Sequence, residues 1–150
     1  VEVSKPEIIV ATASEPNMPS YDQTREDFNW TDIEKQFSWY TTGKVNMAYE
    51  AIDRHTEGDK GSRVALYYSD PNREEQYTYI EMKQQSAKVG NILRQLGIAK
   101  GDRVFIFMPR TPELYFALLG TIKIGAVAGP LFEAFMETAV KDRLLDSGAV

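Results

Sequence analysis

Residues 101–116, Gly-Asp-Arg-Val-Phe-Ile-Phe-Met-Pro-Arg-Thr-Pro-Glu-Leu-Tyr-Phe, constrain the fold more than any other stretch. Residues 104–108 are apolar without interruption, the pattern of a strand covered on both faces. Two prolines then end the strand and open a helix. Pro112 suits a first helical turn, Thr111 stands where an N-cap belongs, and Glu113 complements the positive helix end. The helix is expected to run to about Lys123 and stop at Gly125. Its residues 114–119 are apolar nearly all round, which predicts deep burial. Residues 126–132 repeat the pattern of a buried strand. Residues 136–148 follow as an amphipathic helix with Met136, Val140 and Leu144 on one stripe and Gly148 as its stop. Ala149 and Val150 look like the opening of a further strand. Strand, helix, strand, helix requires parallel strands with crossover connections, hence an α/β layer.

Upstream, residues 63–68 and 76–80 are rich in β-branched and aromatic residues. Pro71 and Asn72 lie between them, as in a hairpin. Residues 80–96 then read as a helix with Met82, Val89, Ile92, Leu93 and Leu96 on one face, and Lys83, Gln84 and Lys88 off it. Gly97 ends it. Earlier still, Val45, Ala48, Ile52 and His55 fall at helical spacing. The first three are expected to face the core, with His55 a packed or capping side chain. Phe28, Trp30, Ile33, Phe37 and Trp39 cluster in a short span where Thr31, Asp32 and Glu34 suggest a helix start. These aromatics either pack a short helix on a larger body or form a ligand platform. Residues 1–20, with Pro6, Pro16 and Pro19 among small polar residues, are expected to be a flexible lead.

Several chemistries are unsupported. There is no cysteine and only one histidine, so neither a thiol nucleophile nor a Cys/His metal site can be built. The net charge of -5 gives no basic footprint for nucleic acid. No stretch approaches the ~18 apolar residues of a membrane span, and the apolar run at residues 8–11 is too short for a signal sequence. A soluble, cytoplasmic protein is expected. Neither Gly-x-Gly-x-x-Gly nor the P-loop pattern occurs, and the strand–helix junction at residues 108–112 has no glycine.

Two strand exits remain as candidate sites, since ligands of open α/β sheets bind at the carboxyl ends of strands. Arg110 stands at the first, placed to meet a phosphate or to pair with a carboxylate. Phe132 and Phe135 flank Glu133 and Ala134 at the second. They form either an aromatic rim for an adenine ring or part of the core. Asp102 and Arg103 are expected to make a local pair.

At the level of ordered motifs the chain resembles the acetyl-CoA synthetases of the adenylate-forming enzyme superfamily. The resemblance rests on Phe37, Trp39, Gly43, Asn46, Asp53, Arg54 and His55, followed by residues 77–135, which look like the first part of an AMP-binding domain. It covers about residues 21–150. The form of residues 130–144 is closer to the Bacillus type. Behind the flexible lead read from composition over 1–20, the resemblance implies a helical N-terminal segment over 21–60 and the start of an AMP-binding domain over 61–150. It implies an acetate–CoA ligase, using ATP, CoA and Mg2+ and passing through an acetyl-adenylate. The phosphate loop, the acetate pocket and the catalytic lysine are then expected beyond Val150. This chain alone would carry no catalytic or metal-binding residue and would be inactive. One ligand surface carries over: Phe132, Glu133 and Ala134 correspond to the strand exit that lies against the CoA adenine. Many relatives have Phe-Gly-Gly there. Alternatives are a ligase for propionate or another short or medium-chain acid, and a non-catalytic α/β binding module.

Overall fold

The computed structural model describes residues 20–150; the lead expected over residues 1–20 falls almost wholly outside them. Among the described residues four short helices come first: α1 (Tyr21–Asp27), α2 (Trp30–Glu34), α3 (Trp39–Thr42) and α4 (Met47–Ala51). Two 3-10 turns, Asp53–Thr56 and Gly58–Lys60, lead into the hairpin of β1 (Val64–Ser69) and β2 (Glu74–Thr78). Then follow α5 (Tyr79–Gln95), β3 (Arg103–Phe107), α6 (Pro112–Lys123), β4 (Val127–Leu131) and α7 (Glu137–Ser147). The strands form two separate two-stranded sheets, β1–β2 antiparallel and β3–β4 parallel. The expected strand–helix–strand–helix unit is present, with α6 as the crossover between the parallel strands.

Helix α5 starts one residue before the expected position, because Thr78 and Glu81 form a reciprocal cap. The Glu81 N–H donates to the Thr78 hydroxyl at 3.2 Å, and the Thr78 N–H donates to the Glu81 carboxylate at 2.8 Å. Tyr79 and Ile80 therefore belong to the helix and not to the preceding strand. The buried face of α5 also differs from the large-residue stripe: it is Met82, Ser86 and Gly90, while Ile92 and Leu96 are 55% and 73% exposed. Small residues win this face because α6 lies against it at very short range. A Cβ on Gly120 of α6 would stand 2.7 Å from the Ser86 carbonyl oxygen and 2.8 Å from the Val89 Cβ. Only glycine permits that approach.

The core joins α4, α5 and α6 to the hairpin. Ile52, Met82 and Phe116 are buried together, with Ala65, Leu66, Tyr77, Tyr79, Val89 and Leu119 packed around them. Tyr77 meets Phe116 edge to face at 5.1 Å, a favoured aromatic geometry. Helix α6 is buried on one side only, through Pro112, Phe116, Gly120 and Thr121; Tyr115 is exposed. Deep burial all round is thus corrected to a half-buried helix among the described residues. Thr111 occupies the N-cap position of α6, but its hydroxyl makes no capping hydrogen bond.

The parallel pair is in simple register, Arg103 opposite Val127 through Phe107 opposite Leu131. Phe105 lies on Gly129, where a Cβ would meet the ring at 2.9 Å. Asp102 and Arg103 do not pair. The Asp102 carboxylate accepts from the Ala99 N–H at 2.8 Å, and Arg103 donates twice to the Gly148 carbonyl. The Asp102 carbonyl faces β4, accepting from Val127 at 2.7 Å. Successive carbonyls of a strand point to opposite edges. Arg103 accordingly offers its carbonyl to the other edge, where the Val150 N–H donates to it at 3.2 Å. The chain thus returns from α7 to the free side of β3.

The N-terminal helices are held by polar contacts. Asn29, rather than Thr31, caps α2, accepting from the Thr31 N–H at 2.9 Å. Phe28 and Trp30 stay exposed, whereas Phe37 and Trp39 stack at 4.1 Å. Val45 is 70% exposed and leaves the expected core stripe, because residue 45 precedes α4 and its cap, Asn46. Ala48 and Ile52 are buried as expected. Glu50, 7% exposed, accepts hydrogen bonds from the Ser38 N–H and hydroxyl, and Arg54 lies 3.4 Å from its second oxygen. Arg54 also stacks on Phe37.

Candidate functional site

Parallel pairing brings both strand exits to one end of the β3–β4 sheet, since Phe107 and Leu131 are register partners. From β3 the chain turns through Met108, Pro109 and Arg110 into α6. From β4 it turns through residues 132–136 into α7. Arg110 is exposed. Phe132 is 53% exposed, Glu133 and Ala134 are exposed, and Phe135 is half-buried. The two phenylalanines are therefore not core residues.

The second exit is a tight turn, closed by the Phe135 N–H donating to the Phe132 carbonyl at 3.0 Å. No non-glycine residue among those described has a positive φ. Glu133 and Ala134 occupy the turn without left-handed backbone, so glycine is not a conformational necessity here. The Phe132 and Phe135 rings meet edge to face at 5.8 Å. Arg143, two turns along α7, places its guanidinium 4.1 Å from the centre of the Phe135 ring, a cation–π contact. Its Nη1 donates to the Ala139 carbonyl at 2.8 Å. Beside this stack an open groove of about 480 Å³ is lined by Phe107, Val140, Leu144 and Leu145.

Around the first exit, Glu113 sits in the opening turn of α6. The adjacent Thr111 hydroxyl, its own backbone N–H and the Arg73 guanidinium at 3.4 Å hold its carboxyl below the usual glutamate range. Arg73 ties the hairpin turn to this helix end. It also lies over the Tyr68 ring at 4.8 Å and faces Glu75 at 3.4 Å.

His55 lies far from both exits in chain order and takes part in packing. Its ring is 5.3 Å from that of Tyr79. Burial, then the Arg54 and Lys60 charges, lower its pKa, with Glu50 opposing them. Asn46 does more than the sequence suggested. Its amide nitrogen donates to the carbonyls of Ile122 and Lys123 at 3.2 Å each, closing the C-terminus of α6. Its oxygen accepts from the N–H groups of Ala48 and Tyr49, opening α4. Nearby, Lys123 pairs with Asp53 at 2.8 Å. Neither the Asn46 bridge nor the Phe135–Arg143 stack was inferred from the sequence. The spacing of Phe135, Ala139 and Arg143 at intervals of four was the available signal for the second.

The arrangement is an α/β strand-exit surface with aromatic lining and no self-contained set of reacting groups among the described residues. Residues 52–150 match the family of AMP-binding enzymes. The chain belongs to that family. Among AMP-binding enzymes it is 60% identical over 140 residues to acetyl-coenzyme A synthetase of Bacillus subtilis (strain 168), covering 93% of this chain and 24% of that protein. It is 41% identical over 113 residues to acetyl-coenzyme A synthetase of Pseudoalteromonas translucida (strain TAC 125), covering 74% and 17%. Among solved structures it superposes on an acyl-CoA synthetase of Brucella canis with a TM-score of 0.74 at 36% identity, over 86% of this chain and 23% of that one. The chain thus spans about a quarter or less of the length of these relatives. The resemblance drawn from the ordered motifs, including its leaning to the Bacillus type, agrees with these similarities, as does the α/β fold class. No helix among the described residues is long and apolar enough to cross a membrane.

Proposed function

We propose that this chain is the N-terminal part of an acetate–CoA ligase. The carrying observation is the 60% identity over 140 residues to the Bacillus subtilis acetyl-coenzyme A synthetase. In the proposed reaction the acetate carboxylate displaces pyrophosphate from ATP to give acetyl-adenylate. The CoA thiol then takes the acetyl group, and AMP leaves. ATP and CoA are the nucleotides used, and Mg2+ would neutralise phosphate charge during the first step. The cytoplasm is the proposed location, with acetate, ATP and CoA as partners and neither nucleic acid nor membrane among them.

In this reading residues 21–60 form the helical N-terminal segment and 61–150 open the AMP-binding domain. The chain contributes scaffold and one ligand surface. Phe132, Glu133 and Ala134 would lie against the CoA adenine, and the exposed Phe132 ring supports that role. Phosphate-binding and acid-binding groups, with the catalytic lysine, would lie beyond Val150. A second reading keeps the chemistry and changes the acid to propionate or a longer one. It is favoured by the superposition on a protein described more broadly as an acyl-CoA synthetase.

The test is acid-dependent AMP formation by the full-length protein across acids of increasing length. Highest kcat/KM with acetate supports the proposal, and preference for propionate or a longer acid replaces it with the second reading. AMP formation with no acid at all overturns both. The purified 150-residue chain should form no AMP, and turnover by it would refute the assignment of the reacting groups to later residues.

A further inference from the structure

We propose that Arg143 is a positioning residue for the CoA-facing turn, acting through Phe135 to hold the Phe132 ring ready for the adenine. The inference rests on the CoA role given above to residues 132–134.

Phe132 projects from the end of β4, is 53% exposed, and meets the Phe135 ring edge to face at 5.8 Å. Phe135 is held in turn. Its N–H closes the turn on the Phe132 carbonyl at 3.0 Å, and the Arg143 guanidinium covers its face at 4.1 Å. Arg143 is itself oriented by donation to the Ala139 carbonyl at 2.8 Å. The series Ala139, Arg143, Phe135, Phe132 runs from helix α7 to the exposed ring. An aromatic ring fixed before the ligand arrives does not lose its rotamer freedom on binding, which favours affinity without a new contact. The guanidinium suits this role because it is planar and lies flat on a ring, as a lysine ammonium cannot.

The test compares Arg143→Met, Arg143→Lys and Phe132→Ala in the full-length protein, with KM measured separately for CoA, acetate and ATP. Arg143→Met should raise the KM for CoA by about three- to tenfold, well beyond any change for acetate or ATP. Arg143→Lys should show the same defect, since the charge without the plane does not support the ring. An unchanged KM for CoA in Arg143→Met, or a parallel rise for all three substrates, overturns the proposal. Restoration by lysine overturns it as well, because the charge would then be acting on the ligand directly. Phe132→Ala separates the two levels. A CoA-selective defect there with none in Arg143→Met refutes only the positioning role. No defect in Phe132→Ala refutes the CoA surface itself.

Discussion

Gly120→Ala should destabilise the protein although alanine is the better helix former. The gain from replacing a helical glycine is about 1 kcal/mol. Against it stands the space available. The new Cβ would lie 2.7 Å from the Ser86 carbonyl oxygen, 2.8 Å from the Val89 Cβ and 2.9 Å from its Cγ1. Two of these atoms are fixed to the α5 backbone, so the clash cannot be relieved by rotating a side-chain tip. Helices α5 and α6 must move apart. Overpacking of this kind costs about 1–3 kcal/mol, and contact with backbone puts it at the upper end. The net loss is then about 2 kcal/mol, or roughly 4–8 °C in melting temperature for a domain of this size. Gly90→Ala is the internal control. Its Cβ would stand 3.2 Å from the Gly120 oxygen and from the Ile124 Cγ2, so a shift of a few tenths of an ångström suffices. Its net effect should stay within about 1 kcal/mol. Thermal unfolding measures both, and hydrogen exchange over α5 and α6 locates the loss. A Gly120→Ala protein that melts at or above the parent temperature, or a Gly90→Ala protein that is the weaker of the two, would refute the close-packing account.

Asn46→Ala removes two donors from the end of α6 and two acceptor contacts from the start of α4, and should cost about 1–2 kcal/mol. Limited proteolysis of residues 20–51 should quicken, and Asn46→Asp should recover only the α4 cap; an unchanged cleavage rate would contradict the bridge. The Tyr77 hydroxyl, donating to Glu75 at 2.7 Å, has its pKa pushed up to about 12, first by that hydrogen bond and then by burial. Because the folded value exceeds the ordinary 10.0, this contribution to stability is complete below pH 10 and is lost as pH rises towards 12. Tyr68 is also raised, by its hydrogen bond to Asp70, so tyrosinate absorbance should show late-titrating tyrosines of which Glu75→Gln returns one, Tyr77, towards 10; no change in that variant would remove Glu75 as the cause.

Local order was legible in the chain because local physics produces it. The apolar run before Pro109, the proline at the first turn of α6, the glycine stops at Gly97 and Gly148, and the hairpin around Pro71 each follow from backbone chemistry within a few residues. The Thr78–Glu81 cap is equally local, a Thr three residues before a Glu, although the β-rich composition of residues 76–80 favours a longer strand there. The strand exits of β3 and β4 could be placed, since parallel strands joined by one helix must end on the same side.

Tertiary structure decided what distance along the chain conceals. Hydrophobic periodicity offered Ile92 and Leu96 for burial, but α6 approaches α5 over Ser86 and Gly90, and two helices can come that close only where side chains are small. Asn46 stands in the sequence only beside a helical stripe; that it opens α4 and also closes α6 shows once Ile122, 76 residues later, ends against it. Phe132 and Phe135 carried no sign of whether they would be buried or offered to a ligand. That depended on how α7 leaves the sheet, with Arg143 rather than a core layer covering Phe135. Backbone preferences act over one or two turns and are written in the sequence; the partner across a packed face is known only once the chain has folded back on itself.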